Sequence, residues 1–247
     1  MSSQIVVSVG HRQQPLRQRP SAYGVKDHSV WTALYCRRFA TLLTDAAIPV
    51  LSGIEYLDLG PSRIPNFRHL NRRLVPRTGW AVVPGESYLP EAHLARSLSR
   101  RRLPSAVAIR PSAEVEHPPA SDIFADLVGR VPLLAEVRYA GFLERFGAVS
   151  LAAKSPEARA GLAGLFAFTA TFGLIREGDR TKVYGSELVP SVALSRHALG
   201  TACVHRPFSL AEVLATPVPV DRLPEVLFVL DDFAQLRDAV DSLASLG

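Results

Sequence analysis

Cysteine is scarce in this 247-residue chain, which holds only Cys36 and Cys203 and has no Cys-x-x-Cys spacing. Two cysteines are too few for a disulfide framework. Disulfides accumulate in oxidising compartments, whereas reduced thiols are the rule in the cytoplasm. The sequence therefore excludes a disulfide-stapled secreted scaffold, and we expect a cytoplasmic protein.

Long apolar runs are also missing. No stretch approaches the roughly 20 residues that a transmembrane helix needs. The first twenty residues, MSSQIVVSVGHRQQPLRQRP, have no compact apolar segment after their charges, so we expect neither a signal peptide nor a membrane partner. Their polar, arginine-rich composition predicts a flexible basic arm over residues 1–22, followed by one domain over residues 23–247.

Motifs that would explain the positive charge are absent as well. A formal charge of +5 and a pI near 9.5 raise the hypothesis of nucleic-acid binding. However, the arginines are dispersed among acidic residues, and the densest cluster, Ser99–Pro104, is short. Glycine-rich dinucleotide loops and Cys- or His-based haem motifs are missing too. We expect no nucleic acid, flavin or haem.

What the chain does contain is a series of helical patterns with few, short strands. Apolar spacing, caps and prolines predict helices over residues 27–47 with Asp27 as N-cap, 90–101, after Asp122 as N-cap, 155–173 and at the C-terminus. Within residues 64–80 they predict a short helix between two prolines, followed by a turn. Apolar β-branched runs predict strands at WAVVPG, at 106–110 with Arg110 at its end, at TKVYG and at VLFVL. The pattern predicts a mostly α fold with small β elements.

Several long blocks between Tyr23 and Val240 carry a resemblance to a known family. They are DHSVWTALY, IPNFRHLNRRLVPRTGWAVVP, RRLPSAVAIR, DIFADLVGRVPLL, FTATFGLI, VYGSELVPS and ATPVPVDRLPEVLFVLDDFAQL. Together they resemble the pterin-dependent aromatic amino acid hydroxylases, in particular the bacterial phenylalanine-4-hydroxylases. The resemblance implies a helical basket around a deep pocket, with small β elements near its rim, and makes residues 23–247 a hydroxylase-like catalytic domain.

The same resemblance implies that the iron ligands have been replaced. In the family, two histidines five residues apart on one helix and a glutamate on the next long helix hold the iron. The matching positions are Ala125, Arg130 and Thr171. Alanine has no donor atom, threonine offers a neutral hydroxyl, and arginine repels a metal dication. His69 and His93 lie outside the matching helix pair, so we expect no metal.

The pterin contact is expected to be lost too. The family stacks its pterin on a phenylalanine in the helix before the segment that corresponds to RRLP. The matching stretch EAHLARSLSRRRLP contains no aromatic residue and has Leu94 or Ala95 at that place. We therefore expect no pterin and no other cofactor.

The amino-acid-binding residues, in contrast, look retained. Arg110 stands where the family grips the substrate carboxylate, 15 residues before Ala125 (125 − 110). A planar guanidinium matches a carboxylate through two parallel hydrogen bonds, and Asp122 is expected to orient it. The alternative is a surface arginine at the end of a strand.

The expected pocket is larger than that of the family. Ala167 replaces a tryptophan of the pocket wall, whereas Phe168 and Phe172 remain; Thr171 and Ser191 complete the predicted substrate-binding set. The space predicts a larger amino acid such as tryptophan, or a second reactant. Compensatory repacking of the core is the alternative.

Three residues are predicted to do the catalytic work. His117, in the loop expected to cover the amino acid, has a side chain that titrates near neutrality. Asp126 lies beside the former metal position and is a second proton carrier. Arg130, if it points inward, stabilises a carboxylate or a developing oxyanion. The alternatives are an exposed loop histidine and a salt bridge that only fills the vacated space.

Three functions remain open. The favoured one is a metal-free, pterin-free enzyme of specialised metabolism that condenses an aromatic amino acid with an aldehyde or ketone and closes a ring, as in Pictet–Spengler formation of a β-carboline from tryptophan. The second is a protein that binds an aromatic amino acid without transforming it. The third is an oxygenase with another cofactor. A homodimer is possible in each case.

Overall fold

A computed structural model describes residues 17–86, 89–112, 122–219 and 223–245. These residues form one mostly helical domain with short strands, as the sequence predicts. The helices are α1 (Val25–Asp45), α2 (Ile48–Tyr56), α3 (Phe67–Thr78), α4 (Glu91–Leu98), α5 (Ile123–Gly129), α6 (Val137–Ala152), α7 (Pro156–Phe166), α8 (Val192–Leu199), α9 (Leu210–Ala215) and α10 (Ala234–Ala244). The strands are β1 (Ala81–Pro84), β2 (Arg102–Ser105), β3 (Leu174–Glu177), β4 (Arg180–Val183), β5 (Val204–Pro207) and β6 (Val226–Leu230).

The strands form two small sheets. Strands β1 and β2 run parallel, with Val82 opposite Leu103. The other sheet has the order β4-β3-β6-β5, in which β3 and β4 are antiparallel and the remaining neighbours are parallel. Strand β6 is the apolar VLFVL run; its last four residues are buried, which suits an inner strand covered on both faces.

One hydrophobic cluster runs through the whole domain. Trp31 of α1 and Trp80 before β1 are fully buried, and Trp31 meets Phe124 of α5 edge to face with ring centroids 5.3 Å apart. Helix α6 packs closely on α4, where a methyl group on Gly147 would lie 2.6 Å from the Ala95 carbonyl oxygen. Across the described ranges, every helix is too short or too polar to cross a bilayer.

Five of the ten helices in the described residues begin at a residue whose side chain caps them. Asp122 caps α5 by accepting from the Ala125 N–H (3.0 Å), and Ser155 caps α7 by accepting from the Ala158 N–H (3.1 Å). The predicted N-cap role of Asp27 is wrong. Helix α1 begins two residues earlier, and Asp27 instead accepts from the N–H of Gly24, the actual N-cap.

The predicted strand at residues 106–110 is also wrong. The strand here is β2, which ends at Ser105. Beyond it the backbone N–H groups of Ala106 and Arg110 donate to the side chains of Asp126 and Asp122, at 2.8 and 3.0 Å. The carboxylates of Asp122 and Asp126 therefore accept hydrogen bonds that a neighbouring strand would accept in a sheet.

The long helix predicted over residues 155–173 ends early. Helix α7 stops at Phe166, and Ala167–Thr171 form a π-helical turn in which the Phe172 N–H donates to the Ala167 carbonyl at 2.9 Å. Such wider turns are rare and often occur at functional sites.

The part of the predicted arm that the structure describes is attached to α3. Gln18 donates to the Pro65 carbonyl and accepts from the Phe67 N–H, both at 2.8 Å. Residues 1–16 lie outside the described residues, so the arm as a whole stays a prediction.

A buried arginine joins α1 to α8. Arg38 is 1% exposed, and its guanidinium donates to the Val189 carbonyl, Thr41, Asp45 and Ser195. Burial lowers the pKa of Arg38, and the bond to Asp45 opposes that shift. Because an unpaired charge would be costly here, these hydrogen bonds are what make the buried arginine tolerable.

Arg38→Met should therefore lower the free energy of unfolding by about 3 kcal/mol, because it leaves the buried partners of the guanidinium unsatisfied. Urea unfolding followed by circular dichroism measures this change. The control Arg237→Met removes an exposed ion pair with Asp241 and should cost less than about 1 kcal/mol. Equal losses in the two variants would contradict the assignment of Arg38 as an anchor.

Candidate active site

Helix α5 positions the residues that the resemblance singles out. Almost all of the helix is buried, but Ala125 on it and Arg130 at its C-cap are partly exposed. These two positions therefore lie on the side of the helix that the core does not cover. The other residues of α5, including Phe124, anchor it to the core.

Arg110 is held by a bidentate pair with Asp122. Its Nε donates to Oδ2 at 2.7 Å and its Nη2 donates to Oδ1 at 2.8 Å; the two side chains are only 9% and 7% exposed. Asp122 thus fixes the orientation of the guanidinium. The hydrogen atoms on Nη1 are not used by this pair, and among the described residues they remain for a further acceptor.

Arg130 is paired with Asp126, one turn before it. Its Nη1 lies 3.2 Å from the Asp126 carboxylate and 3.4 Å from the Pro104 carbonyl oxygen. Asp126 is 1% exposed, and its other oxygen accepts from the Ala106 N–H. Asp126 is therefore well placed to position Arg130, and both of its oxygens are already hydrogen-bonded.

The π-helical turn meets α5 through the segment 185–188. The N–H groups of Ser186 and Glu187 donate to the carbonyl oxygens of Ala170 and Thr171, at 2.9 and 3.1 Å. On the other side, a methyl group on Gly129 would lie 2.3 Å from the Ser186 carbonyl oxygen. This close approach joins the Thr171 position to the end of α5.

The structure separates the predicted substrate-binding residues into two groups. Ala167, Thr171 and Phe172 are partly exposed, whereas Phe168 is buried edge to face against Phe228 of β6, with centroids 5.2 Å apart. Phe168 therefore belongs to the core. Ser191 uses its hydroxyl to cap α8 by accepting from the Leu194 N–H at 3.2 Å.

Two tyrosines lie behind the site. Tyr139 and Tyr184 meet edge to face at 6.0 Å, and a methyl group on Gly173 would lie 2.1 Å from the Tyr184 ring. Burial raises the pKa of both phenols, and the charge of Arg130 opposes this shift at Tyr139. Within the described residues the Tyr184 hydroxyl is buried without a hydrogen-bond partner. The two buried tyrosine rings thus give this side of the site an aromatic lining.

Glu187 was not among the residues predicted for the site, but the fold places its backbone N–H next to the Thr171 carbonyl oxygen. It is half-buried, and only the hydrogen bond from its N–H to Thr171 reveals its place. No signal in the surrounding sequence would have indicated this contact. His117, the predicted proton shuttle, lies outside the described residues, so its role stays a prediction.

The side chains at the expected iron position do not fit iron. An alanine, a threonine and an ion-paired arginine occupy the three ligand positions that the resemblance implies. Across residues 17–86, 89–112, 122–219 and 223–245, no group of three His, Cys, Asp or Glu side chains is arranged to hold a metal. His69 and His93 are on α3 and α4, away from α5 in the chain.

The expected pterin-stacking position is likewise aliphatic. Leu94 is partly buried and Ala95 is buried on α4. Neither side chain offers a ring on which a pterin could stack, so this position does not fit the family's mode of holding that cofactor.

Comparison with known proteins assigns the family. The model of the biopterin-dependent aromatic amino acid hydroxylases matches residues 22–246. Phenylalanine-4-hydroxylase of Chromobacterium violaceum is 32% identical over 225 residues, which are 91% of this chain and 76% of that protein. The enzyme of Ralstonia nicotianae is 32% identical over 228 residues, covering 92% and 72%.

Solved structures agree with this result. The crystal structure of the Chromobacterium violaceum enzyme with bound Fe(III) superimposes with a TM-score of 0.87 at 31% identity, covering 94% of this chain and 86% of that one. The apo enzyme of Colwellia psychrerythraea gives a TM-score of 0.84 at 28% identity, covering 91% and 87%. The chain therefore belongs to the biopterin-dependent aromatic amino acid hydroxylase family, a family of enzymes.

Proposed function

We propose that this chain binds an aromatic amino acid and transforms it without iron or pterin. The observation that carries the proposal is the ion pair between Arg130 and the buried Asp126. It puts a fixed cation where the resemblance places a metal ligand. A guanidinium stays protonated at any accessible pH, so it can replace some of the charge of a metal but none of its redox chemistry.

Arg110 holds the α-carboxylate of the substrate in this proposal. Asp122 fixes the plane of the guanidinium and leaves Nη1 to donate. A charge-assisted bond from a pre-oriented donor is stronger than one from a mobile side chain. The aromatic ring would lie toward the partly exposed Ala167 and Phe172, where a tryptophan side chain in the family's pocket has been reduced to a methyl group.

The reaction we propose is condensation with an aldehyde or ketone followed by ring closure. The substrate amine attacks the carbonyl carbon and gives up one proton, the carbonyl oxygen takes up two protons and leaves as water, and the net uptake of one proton gives an iminium ion. A carbon of the electron-rich ring then attacks the iminium carbon, and the ring loses a proton to restore aromaticity. No electron acceptor or donor is consumed.

Acid–base groups and a cation suffice for these steps. Arg130 stabilises the negative charge that develops on the carbonyl oxygen. Glu187 and His117 are the proton carriers, whereas Asp126 positions Arg130, because both of its oxygens already accept hydrogen bonds. Tryptophan is the favoured substrate, and a cytoplasmic enzyme of specialised metabolism, with a homodimer as its possible assembly, is the setting we propose.

A protein that only binds the amino acid is the second candidate. The hydrogen bonds that occupy both oxygens of Asp126 favour it, since they leave one predicted proton carrier engaged. Binding and product formation separate the two candidates, so the experiments below measure both.

Arg110→Lys should weaken tryptophan binding roughly 10- to 100-fold, because a point charge cannot reproduce the bidentate geometry. Isothermal titration calorimetry measures the dissociation constant. Lysine keeps a cation beside Asp122, which limits the damage to the fold, and Arg176→Lys on the surface is the control. An unchanged dissociation constant in the Arg110 variant would remove this residue from the site.

Restoring the family's ligands should restore metal binding. The triple variant Ala125→His, Arg130→His, Thr171→Glu should bind about one Fe(II) per chain, because it supplies two imidazoles and a carboxylate. The parent and the single variant Ala125→His should bind much less, since Arg130 remains in place. Elemental analysis after desalting gives the stoichiometry. Equal iron in the parent and the triple variant would contradict the proposed loss of the iron site.

Incubation of the parent with tryptophan and acetaldehyde should give a product with the mass of both reactants less water. Ring closure makes it resistant to cyanoborohydride, which reduces an open imine, so mass spectrometry with and without that reagent identifies the cyclic product. Glu187→Gln should slow turnover more than it weakens binding. Tyrosine formed from phenylalanine with Fe(II), tetrahydropterin and oxygen would instead indicate a hydroxylase, and binding without product would indicate the second candidate.

A further inference from the structure

A broad groove of about 1050 Å³ on α3 shares no residue with the candidate active site. It is bounded by the segment before α1, by α3 and by β1. Its lining consists of Arg17, Gln18, Pro20, Asn66, Phe67, Arg68, Asn71, Arg72, Val75, Pro76, Val82, Val83 and Pro84. Three of these residues are arginines and none is acidic, so the groove is positively charged.

The three arginines are exposed and lack acidic partners. Within the described parts of the chain, Arg17, Arg68 and Arg72 make no ion pair, and the side chain of Arg72 reaches only His69, at 3.4 Å. Six other arginines on the surface pair with carboxylates: Arg101–Glu144, Arg138–Asp232, Arg145–Asp241, Arg176–Asp231, Arg206–Glu212 and Arg237–Asp241. Other exposed arginines, such as Arg180 and Arg196, make no ion pair with a described residue, but they do not share a groove. The groove is therefore a place where three such arginines lie together and no acidic residue joins the lining.

The amide side chains of the groove are already used by the fold. Gln18 binds the backbone of residues 65 and 67, and Asn66 caps α3 by accepting from the Arg68 N–H at 2.8 Å. Asn71 donates to the Val82 carbonyl and accepts from the Val82 N–H, at 2.9 and 2.7 Å. The guanidinium groups are thus the polar groups left to recognise a ligand.

An aliphatic strip lies beside these charges. Val75 is 48% exposed and Pro76 is exposed, while Val83 and Pro84 are half-buried. The one aromatic residue of the lining, Phe67, is buried. A ligand for this surface therefore needs negative charge together with aliphatic groups, and it finds no ring on which to stack.

We propose that this groove docks an acidic segment of a partner protein. The carboxylates of that segment pair with Arg17, Arg68 and Arg72, and its aliphatic side chains pack against the aliphatic strip that contains Val75. Charge complementarity of this kind speeds encounter and selects partners. The sixteen residues that precede the groove in the chain contain no Asp or Glu, so they cannot supply the matching charge. Single-stranded nucleic acid is disfavoured because its binding relies on stacking against exposed aromatic side chains.

Fluorescence anisotropy with two labelled peptides tests the proposal on the full chain. One peptide carries Glu and Leu at helical spacing, and the other replaces every Glu by Lys. The Glu peptide should bind, its affinity should fall as salt rises, and the Lys peptide should not bind. Arg68→Glu/Arg72→Glu should weaken binding of the Glu peptide at least tenfold.

The matched control is Arg180→Glu/Arg196→Glu, which makes the same change in charge at two exposed arginines on β4 and α8. It should retain the parent affinity, and thermal unfolding of both variants checks that they are folded. The proposal is overturned if the Glu peptide fails to bind the parent, if both variants lose affinity equally, or if an oligothymidine binds the groove more tightly than the peptide.

Discussion

Two buried carboxylates, Asp122 at the N-cap of α5 and Asp126 in its first turn, organise the candidate site. Their oxygens accept from the backbone N–H groups of Ala106, Arg110 and Ala125 and from the side chains of both site arginines. A buried charge is tolerable only when it is paired and hydrogen-bonded. The site therefore depends on the packing of the segment after β2 against α5.

This arrangement also decides which chemistry the site can support. Each arginine is close to a carboxylate, so the two pairs together add no net charge, but they fix two guanidinium groups in defined orientations. Groups that are oriented in advance stabilise developing charge without reorganising, which is the general basis of electrostatic catalysis. The fold matches that of a relative whose crystal structure holds Fe(III), but a shared fold does not determine the activity, which depends on the side chains of this site.

The sequence predicts interactions between residues close in the chain better than interactions between distant segments. Asp122 was identifiable as a cap because a cap bonds to backbone only a few residues away, whereas Asp27, the same residue type before another apolar pattern, is not the N-cap. Residues 106–110 have the β-branched pattern of a strand, but their hydrogen-bond partners are side chains from α5, and this preference cannot be seen locally. The π-helical turn at 167–171 and the place of Glu187 beside Thr171 also depend on tertiary contacts.

The role of each arginine is also difficult to predict from the sequence. The sequence shows 28 basic and 23 acidic residues, and their dispersal along the chain suggests a surface of evenly matched charges. Folding distributes the arginines unequally: Arg38 is buried as an anchor, Arg110 and Arg130 are neutralised in the site, and Arg68 and Arg72 are exposed and pair with no acidic side chain among the described residues. Burial and partner, rather than residue type, therefore decide what each arginine does. A fixed pair next to a substrate can stabilise charge during a reaction, whereas an unpaired cation in water can attract another molecule.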